Sequence, residues 1–298
     1  MRRCIICKEY KEESEFNLEH VFPESIGGEY TINTVCSDCN SHFGRTVDNK
    51  FLNSGVIRFL NHNFKIKNKN GKVVPSVPET IVDPYDSSIK LKTFYDNHGE
   101  LKDTEFETTF NNNTFRFDES RNINTALSEL DILLKKNKIP LPLEIDTPEK
   151  KKEYMLKLKE QIQEKYYSGE FKESKDPIDV TLETNAEEII LESIKISYEL
   201  SHKILGEKYF EDKLCDVFRE YLIAGKLDDN LSKKINFISE VKDIEKFSKL
   251  HVFCLIRFEN FLFSFVLLYG TFASIFIISE NGNQYNLENE VSVITNKE

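Results

Sequence analysis

Two cysteine pairs near the N-terminus, Cys4–Cys7 and Cys36–Cys39, constrain this chain more than any other feature. Each pair has the CxxC spacing, and 28 residues separate them. Four thiolates complete a closed tetrahedral zinc site, so a structural Zn²⁺ is expected on Cys4, Cys7, Cys36 and Cys39. The competing readings are coincidental pairs or a redox pair. The gap is longer than a simple zinc ribbon needs, which leaves room for a β-hairpin. A unit this small buries too little apolar surface to hold itself together, and the metal would stand in for a core. The other cysteines, Cys215 and Cys254, sit in apolar runs and read as small buried hydrophobes. Cysteines used this way, behind an N-terminus that runs Met-Arg-Arg-Cys straight into the first pair, point to a reducing, cytoplasmic setting.

Between and after the pairs lie Glu19-His20-Val21-Phe22-Pro23, Ile26-Gly27-Gly28, Asn33, and Cys36-Ser37-Asp38-Cys39-Asn40 followed by Phe43-Gly44. Residues 16–22 alternate loosely and suit a strand ending at Pro23, with a loop over 23–31 and a short second strand over 32–35. A helix is expected from about Asp38, because Phe43, Val47 and Phe51 recur every four residues on one face. Gly55 marks either its end or a break before 56–60.

In this order, CxxC, EHxxP, GG, CxxCN and FG resemble the HNH endonuclease family, in its branch with four cysteines. The resemblance covers residues 4–51 and implies a ββα-metal nuclease fold. It makes His20 the general base that deprotonates a water for attack on a phosphodiester, work suited to an imidazole. It makes Glu19 and Asn40 ligands of a catalytic divalent ion. Oxygen donors favour a hard cation, hence Mg²⁺ or Mn²⁺. It assigns Asn33 the task of orienting the loop that carries the base. Glu stands where Asp is commoner, Asn40 stands where the family name has His, and Asn33 falls only seven residues before Asn40. His42 reads as a surface or phosphate-contacting group. Asp48 reads as a helix-surface carboxylate, with the site as its alternative. His62, His98, His202 and His251 read as structural.

The net charge of −11 is unevenly spread: residues 1–72 carry 11 basic against 9 acidic side chains, and the excess acid lies beyond them. Over 56–72 there are five basic residues and no acidic one. Lys65, Lys67, Lys69 and Lys72 are therefore candidate phosphate contacts, although a lysine run also suits a plain solvated surface.

From Val73 prolines accumulate, and a boundary is drawn there, giving a module at 1–72 and an acidic α+β domain at 73–298. In the second part, residues 88–95 and 104–110 read as a hairpin around Asn97-His98-Gly99, with a further strand over 114–117. Helices are expected over 123–134, from Thr147-Pro148, from Asn185 to Gly206, and over 208–224. The stretch 261–278 has eighteen residues without a charge. A membrane helix is one reading. The density of Phe and β-branched residues, divided by Gly270-Thr271, favours two strands that join 251–258 in an antiparallel meander beneath the helices. The fold class is thus α+β, a zinc-stapled ββα-metal module followed by a larger mixed domain.

These features imply a metal-dependent endonuclease acting on double-stranded DNA, in bacterial defence or restriction, with DNA positioning, sensing or dimerisation left to the second domain. The alternatives are a zinc-dependent nucleic-acid-binding module without catalysis, and a zinc-knuckle adaptor. Glu19, His20 and Asn40 favour the enzyme, since a binding module needs none of them.

Overall fold

In the computed structural model, the segments ahead of the second cysteine pair are short strands joined by tight turns. β1 (Arg2–Arg3) pairs antiparallel with β2 (Tyr10–Lys11). The turn between them carries Cys4 and Cys7 and closes on Lys8, whose φ of 63° lets its N–H reach the Cys4 carbonyl at 3.0 Å. β3 (Glu19–His20) pairs with β4 (Thr31–Ile32), setting Glu19 opposite Ile32 and His20 opposite Thr31. α1 (Ser37–Phe43) then starts inside the second cysteine pair. It passes through one π-helical turn, Gly44–Asp48, into α2 (Asn49–Asn53). A π turn inserts a residue without breaking the helix, and so changes the face that Asp48 occupies relative to α1. Phe43, Val47 and Phe51 are all buried, as their spacing requires. Gly55 opens the next helix, α3 (Gly55–Asn63), rather than trailing the last one. The structure describes all residues except 69, 84–88, 112–113, 119–121, 137–138, 140, 143, 172–183, 229–236, 242–246, 288–289 and 296–298.

The chain divides into two compact units, one of Met1–Ser76, Asn97–Gly99 and Leu182–Glu298, the other of Val77–Asp96 and Glu100–Thr181. The boundary expected after residue 72 therefore falls close to the end of one segment. The single domain expected over 73–298 does not correspond to either unit.

The inserted unit opens with a three-stranded antiparallel sheet, β5 (Thr80–Val82), β6 (Lys90–Tyr95) and β7 (Leu101–Phe106), in that order. β8 (Thr109–Asn111) and β9 (Thr114–Arg116) form a separate hairpin, so the strand expected over 114–117 has a different partner from the first hairpin. α4 (Ile123–Lys135) and α5 (Pro148–Tyr167) supply the core of this unit through Ile123, Leu127, Leu130, Met155 and Ile162. Thr147 caps α5 by accepting from the Lys150 N–H, with Pro148 at the first helical position.

The chain then returns to the first unit. α6 (Ala186–Leu205) is capped by Asn185, whose side chain accepts from the Glu187 N–H. The single helix expected over 208–224 is interrupted: a 3₁₀ turn, Gly206–Glu211, precedes α7 (Lys213–Ala224), and Asp212 accepts from the Leu214 N–H to restart it. Gly225 ends α7 at φ 61°. Five antiparallel strands follow: β10 (Phe237–Val241), β11 (His251–Phe258), β12 (Phe261–Leu268), β13 (Phe272–Ser279) and β14 (Glu290–Thr295). Their order is β10-β13-β12-β11-β14, with the expected meander at the centre. The uncharged stretch 261–278 is thus two strands, turned by Tyr269 and Gly270, both with positive φ. Among the described residues no helix is long and apolar enough to cross a membrane.

α6 packs on this sheet, and the Ser264 hydroxyl donates to the Ser197 hydroxyl at 3.0 Å where they meet. One continuous core runs from Ile6, Phe22, Ile26 and Phe51 through Ile194 and Tyr198 to Phe253, Leu262 and Phe276. The zinc-type module therefore shares its interior with helices and strands distant in sequence. A ββα unit of that size has too little surface to bury alone, and α6 and the sheet supply it.

Candidate active site

The two knuckles bring Cys4, Cys7, Cys36 and Cys39 together, with all four sulfur atoms within 4.8 Å of one another. Sulfurs about 2.3 Å from a tetrahedral zinc stand roughly 3.8 Å apart, so the cluster fits that ion. Backbone N–H groups of Ile6 and Cys36 point at the Cys4 sulfur, at 3.4 and 3.3 Å. Hydrogen bonding from Cys39 pulls the Cys4 thiol down to about 4 against the opposing effect of burial. The same interaction pushes Cys39 up, and burial raises Cys7 to about 11. Zinc binds cysteine as the thiolate, so loading the site would release thiol protons.

His20 is half-buried on β3, and its Nδ1 lies 3.4 Å from the Gly28 carbonyl oxygen. An Nδ1–H donor in that position leaves Nε2 as the free acceptor. The loop between β3 and β4 is built for this approach. Gly27 sits at φ 93°, and a Cβ on Gly28 would come within 2.0 Å of the Phe22 carbonyl oxygen, so both glycines are required. From the sheet, the His251 ring accepts the Tyr269 N–H at Nδ1 and donates from Nε2 to the Ile26 carbonyl at 3.1 Å, which ties the loop to β11. Burial pushes the His251 ring down to about 4, so it stays neutral.

Asn40, in α1, donates from Nδ2 to the Asn17 side chain at 3.0 Å and to the Leu18 carbonyl at 3.3 Å. The helix start is thereby stapled to the residues that lead into Glu19 and His20. This is the loop-holding role expected of Asn33. The Asn33 side chain is exposed and makes no hydrogen bond among the described residues, and only its carbonyl is used, by the Arg2 guanidinium at 2.6 Å. Sequence spacing puts Asn33 near the hairpin, but its position just past β4 turns it to the surface.

Glu19 is 3% exposed, and its Oε1 lies 2.6 Å from the Lys195 ammonium, which α6 delivers from the far side of the core. Lys195, fully buried, also donates to Asp48 at 2.7 Å and to the His20 carbonyl at 3.4 Å. Asp48 is therefore no plain helix-surface carboxylate, because the π turn aims it at Lys195. Glu192, on the same face of α6, stands 4.0 Å from the ammonium. The carboxyl oxygens of Glu192 and Glu199 have no hydrogen-bond partner among the described residues. Burial pushes both carboxyls well up. It also raises Glu19, with Lys195 opposing the shift. Burial works against the charge on Lys195, yet Asp48 and the neighbouring glutamates hold its ammonium well above the ordinary lysine value. As for a catalytic ion, the carboxylate of Glu19 and the amide oxygen of Asn40 are hard donors that suit Mg²⁺ or Mn²⁺, although one Glu19 oxygen is committed to Lys195.

The remaining candidates fall elsewhere. Lys65, Lys67 and Lys72 are exposed around a turn in which Asn68 accepts the Lys72 N–H and Gly71 takes φ 74°. Lys69 lies outside the described residues. His42 bonds the Ile223 carbonyl at 2.9 Å and so joins α1 to α7. His202 contacts the buried Cys215 sulfur at 3.3 Å. Lys195, Glu192 and His251 carry no warning in the sequence, apart from the charges at 192, 195 and 199 in the otherwise uncharged stretch 189–201 of α6.

The hairpin, helix and four-cysteine cluster form a ββα module with a site fit for zinc. Residues 4–55 match the model of the HNH endonuclease family. No curated protein and no solved structure matches the chain.

Proposed function

We propose that this chain is a metal-dependent endonuclease that hydrolyses double-stranded DNA, with His20 as general base. The observation that carries the reading is the His20 ring, with Nδ1 facing the Gly28 carbonyl. Its other nitrogen is left as an acceptor for the proton of an attacking water. Asn40 holds the approach to β3 through Asn17 and Leu18, which fixes where His20 stands. Glu19 and Asn40 would hold a Mg²⁺ or Mn²⁺ ion. When bound, that ion supplies positive charge to the phosphate as the ester bond breaks. Zinc on the four cysteines takes no part in the reaction and maintains the knuckles.

Phosphate contacts fall to Lys65, Lys67, Lys69 and Lys72, which carry positive charge beside an otherwise acidic chain. The setting we infer is bacterial defence or restriction inside the cytoplasm. Incubation of the full chain with supercoiled plasmid in Mg²⁺, in Mn²⁺ and in EDTA tests the reading. Nicked or linear product with either ion and none with EDTA is the expected result.

A second reading draws on the burial of Glu19 beneath Lys195: a zinc-held nucleic-acid-binding module without catalysis. Plasmid retained in a gel-shift assay but left uncut in every ion would favour it.

A further inference from the structure

A buried ammonium is an expensive way to fill space. Apolar side chains of the same volume usually pack as well or better, because two ions must leave water to form a buried pair. Lys195 is fully buried in the middle of α6, a helix otherwise committed to the core, and four carboxyl groups face it. Glu19 and Asp48 bind it directly, Glu192 stands 4.0 Å away, and Glu199 adds a further carboxyl. The carboxyl oxygens of Glu192 and Glu199 find no hydrogen bond among the described residues. Stability alone does not account for such a cluster.

Its location does. Lys195 grips both halves of β3: the Glu19 carboxylate at 2.6 Å and the His20 carbonyl at 3.4 Å. Asp48 anchors the same ammonium at 2.7 Å from the helix that begins at the second cysteine pair. One atom therefore links β3, the helical segment after Asn40, and α6.

We propose that Lys195 is a positioning residue of the nuclease site, whose buried ammonium fixes the Glu19–His20 strand from beneath, so that α6 completes a centre the HNH-type segment does not build by itself. This rests on the nuclease reading. Lys195 is fully buried and acts through Glu19 and His20. A displacement of the order of 1 Å at a reacting group costs about 10²-fold in rate, whereas DNA binding by a distant surface is unaffected.

The test uses the full chain. Lys195→Met alone leaves the buried Glu19 and the half-buried Asp48 without their cation, so it is combined with Asp48→Asn. Zinc content, thermal midpoint, and kcat and KM on plasmid are then compared with wild type. The expected result is a zinc-loaded, folded double variant whose KM stays within about threefold while kcat falls about 10²-fold. A folded double variant with kcat within about threefold of wild type overturns the proposal. If the double variant loses its zinc, nitrogen-15 spectra of lysine-labelled wild-type chain decide. One ammonium in slow exchange with water, lost in Glu19→Gln, supports the assignment; all ammonium groups in fast exchange contradict it. Wild type is assayed first, and if it cuts nothing in any ion the nuclease reading has failed and this proposal falls with it.

Discussion

The Nδ1 of His20 and the carbonyl oxygen of Gly28 stand 3.4 Å apart across the loop that joins β3 to β4, and their pairing decides which ring nitrogen faces outward. The loop can come this close only because residue 28 has no side chain. A Cβ there would meet the Phe22 carbonyl oxygen at 2.0 Å and the Phe22 Cβ at 2.7 Å. Gly28→Ala must push the loop away from His20. It is expected to cost about 1–3 kcal/mol of stability, as overpacking does, and most of the cleavage activity. Urea unfolding and plasmid cutting on the same preparation check both, and an alanine variant as active as wild type would separate the loop from the reaction.

The zinc knuckles and the C-terminal segment share one core, so loss of zinc should not stay local. Cys36→Ser is expected to release the metal and to lower the thermal midpoint of the whole unit, rather than to melt a small N-terminal transition of its own. Calorimetry with zinc analysis checks this. A variant with wild-type zinc content and midpoint would remove the structural role of the four cysteines.

Acid should weaken the hold of β11 on the glycine loop. His251 is kept neutral down to about 4 in the folded chain, against an ordinary value near 6.5 in the unfolded one. The unfolded chain therefore binds the extra proton between those limits. The stability contributed by this ring is complete above about pH 6.5 and is lost as pH falls toward 4, at up to about 1.4 kcal/mol per unit. Glu192 and Glu199, with raised carboxyls, act in the opposite direction, so absolute stability is a poor readout. The difference in urea stability between wild type and His251→Asn isolates the ring and should shrink from pH 7 to pH 4.5. A constant difference would mean that the ring is not buried neutral.

Charge removal at Lys65, Lys67, Lys69 and Lys72 together should weaken binding to any DNA sequence. It should also reduce the slope of log affinity against log salt by about 0.9 for each phosphate no longer neutralised. Fluorescence anisotropy at several salt concentrations measures it. An unchanged slope puts the duplex on another face.

Much of the first fifty residues is legible because their chemistry is written locally. Cysteine spacing names the zinc cluster, the Phe43, Val47, Phe51 repeat names the helix face, and Gly27-Gly28 names the tight loop. Strands 251–279 are readable for a related reason: a run of Phe and Ile broken by a turn has few other ways to fold. What escapes is long-range. Lys195 meets Glu19 across 176 positions of sequence, and a charged residue in a helix ordinarily reads as solvated. Periodicity identifies a face to be covered but not the segment that covers it. The return of 182–298 to the N-terminal unit is therefore invisible in the sequence. Asn40 makes the loop contact expected of Asn33 because spacing along a loop does not fix where a side chain points.

Glu19 and Asn40, assigned to the same divalent ion, should fail in the same way. Glu19→Ala and Asn40→Ala are each expected to raise the Mg²⁺ concentration needed for half-maximal cutting, with partial recovery in excess ion. Titration of Mg²⁺ against cutting rate distinguishes this from a simple loss of rate at all concentrations, which would remove both residues from the ion site.

The central claim, that His20 is the base of a DNA-cutting reaction, meets its most direct test in the nicking rate of His20→Ala on supercoiled plasmid with Mg²⁺. The account predicts a fall of about 10²–10⁴-fold, the usual size of a general-base contribution, with zinc content and DNA affinity at wild-type levels. A His20→Ala chain, free of contaminating nuclease, that nicks at the wild-type rate would contradict it.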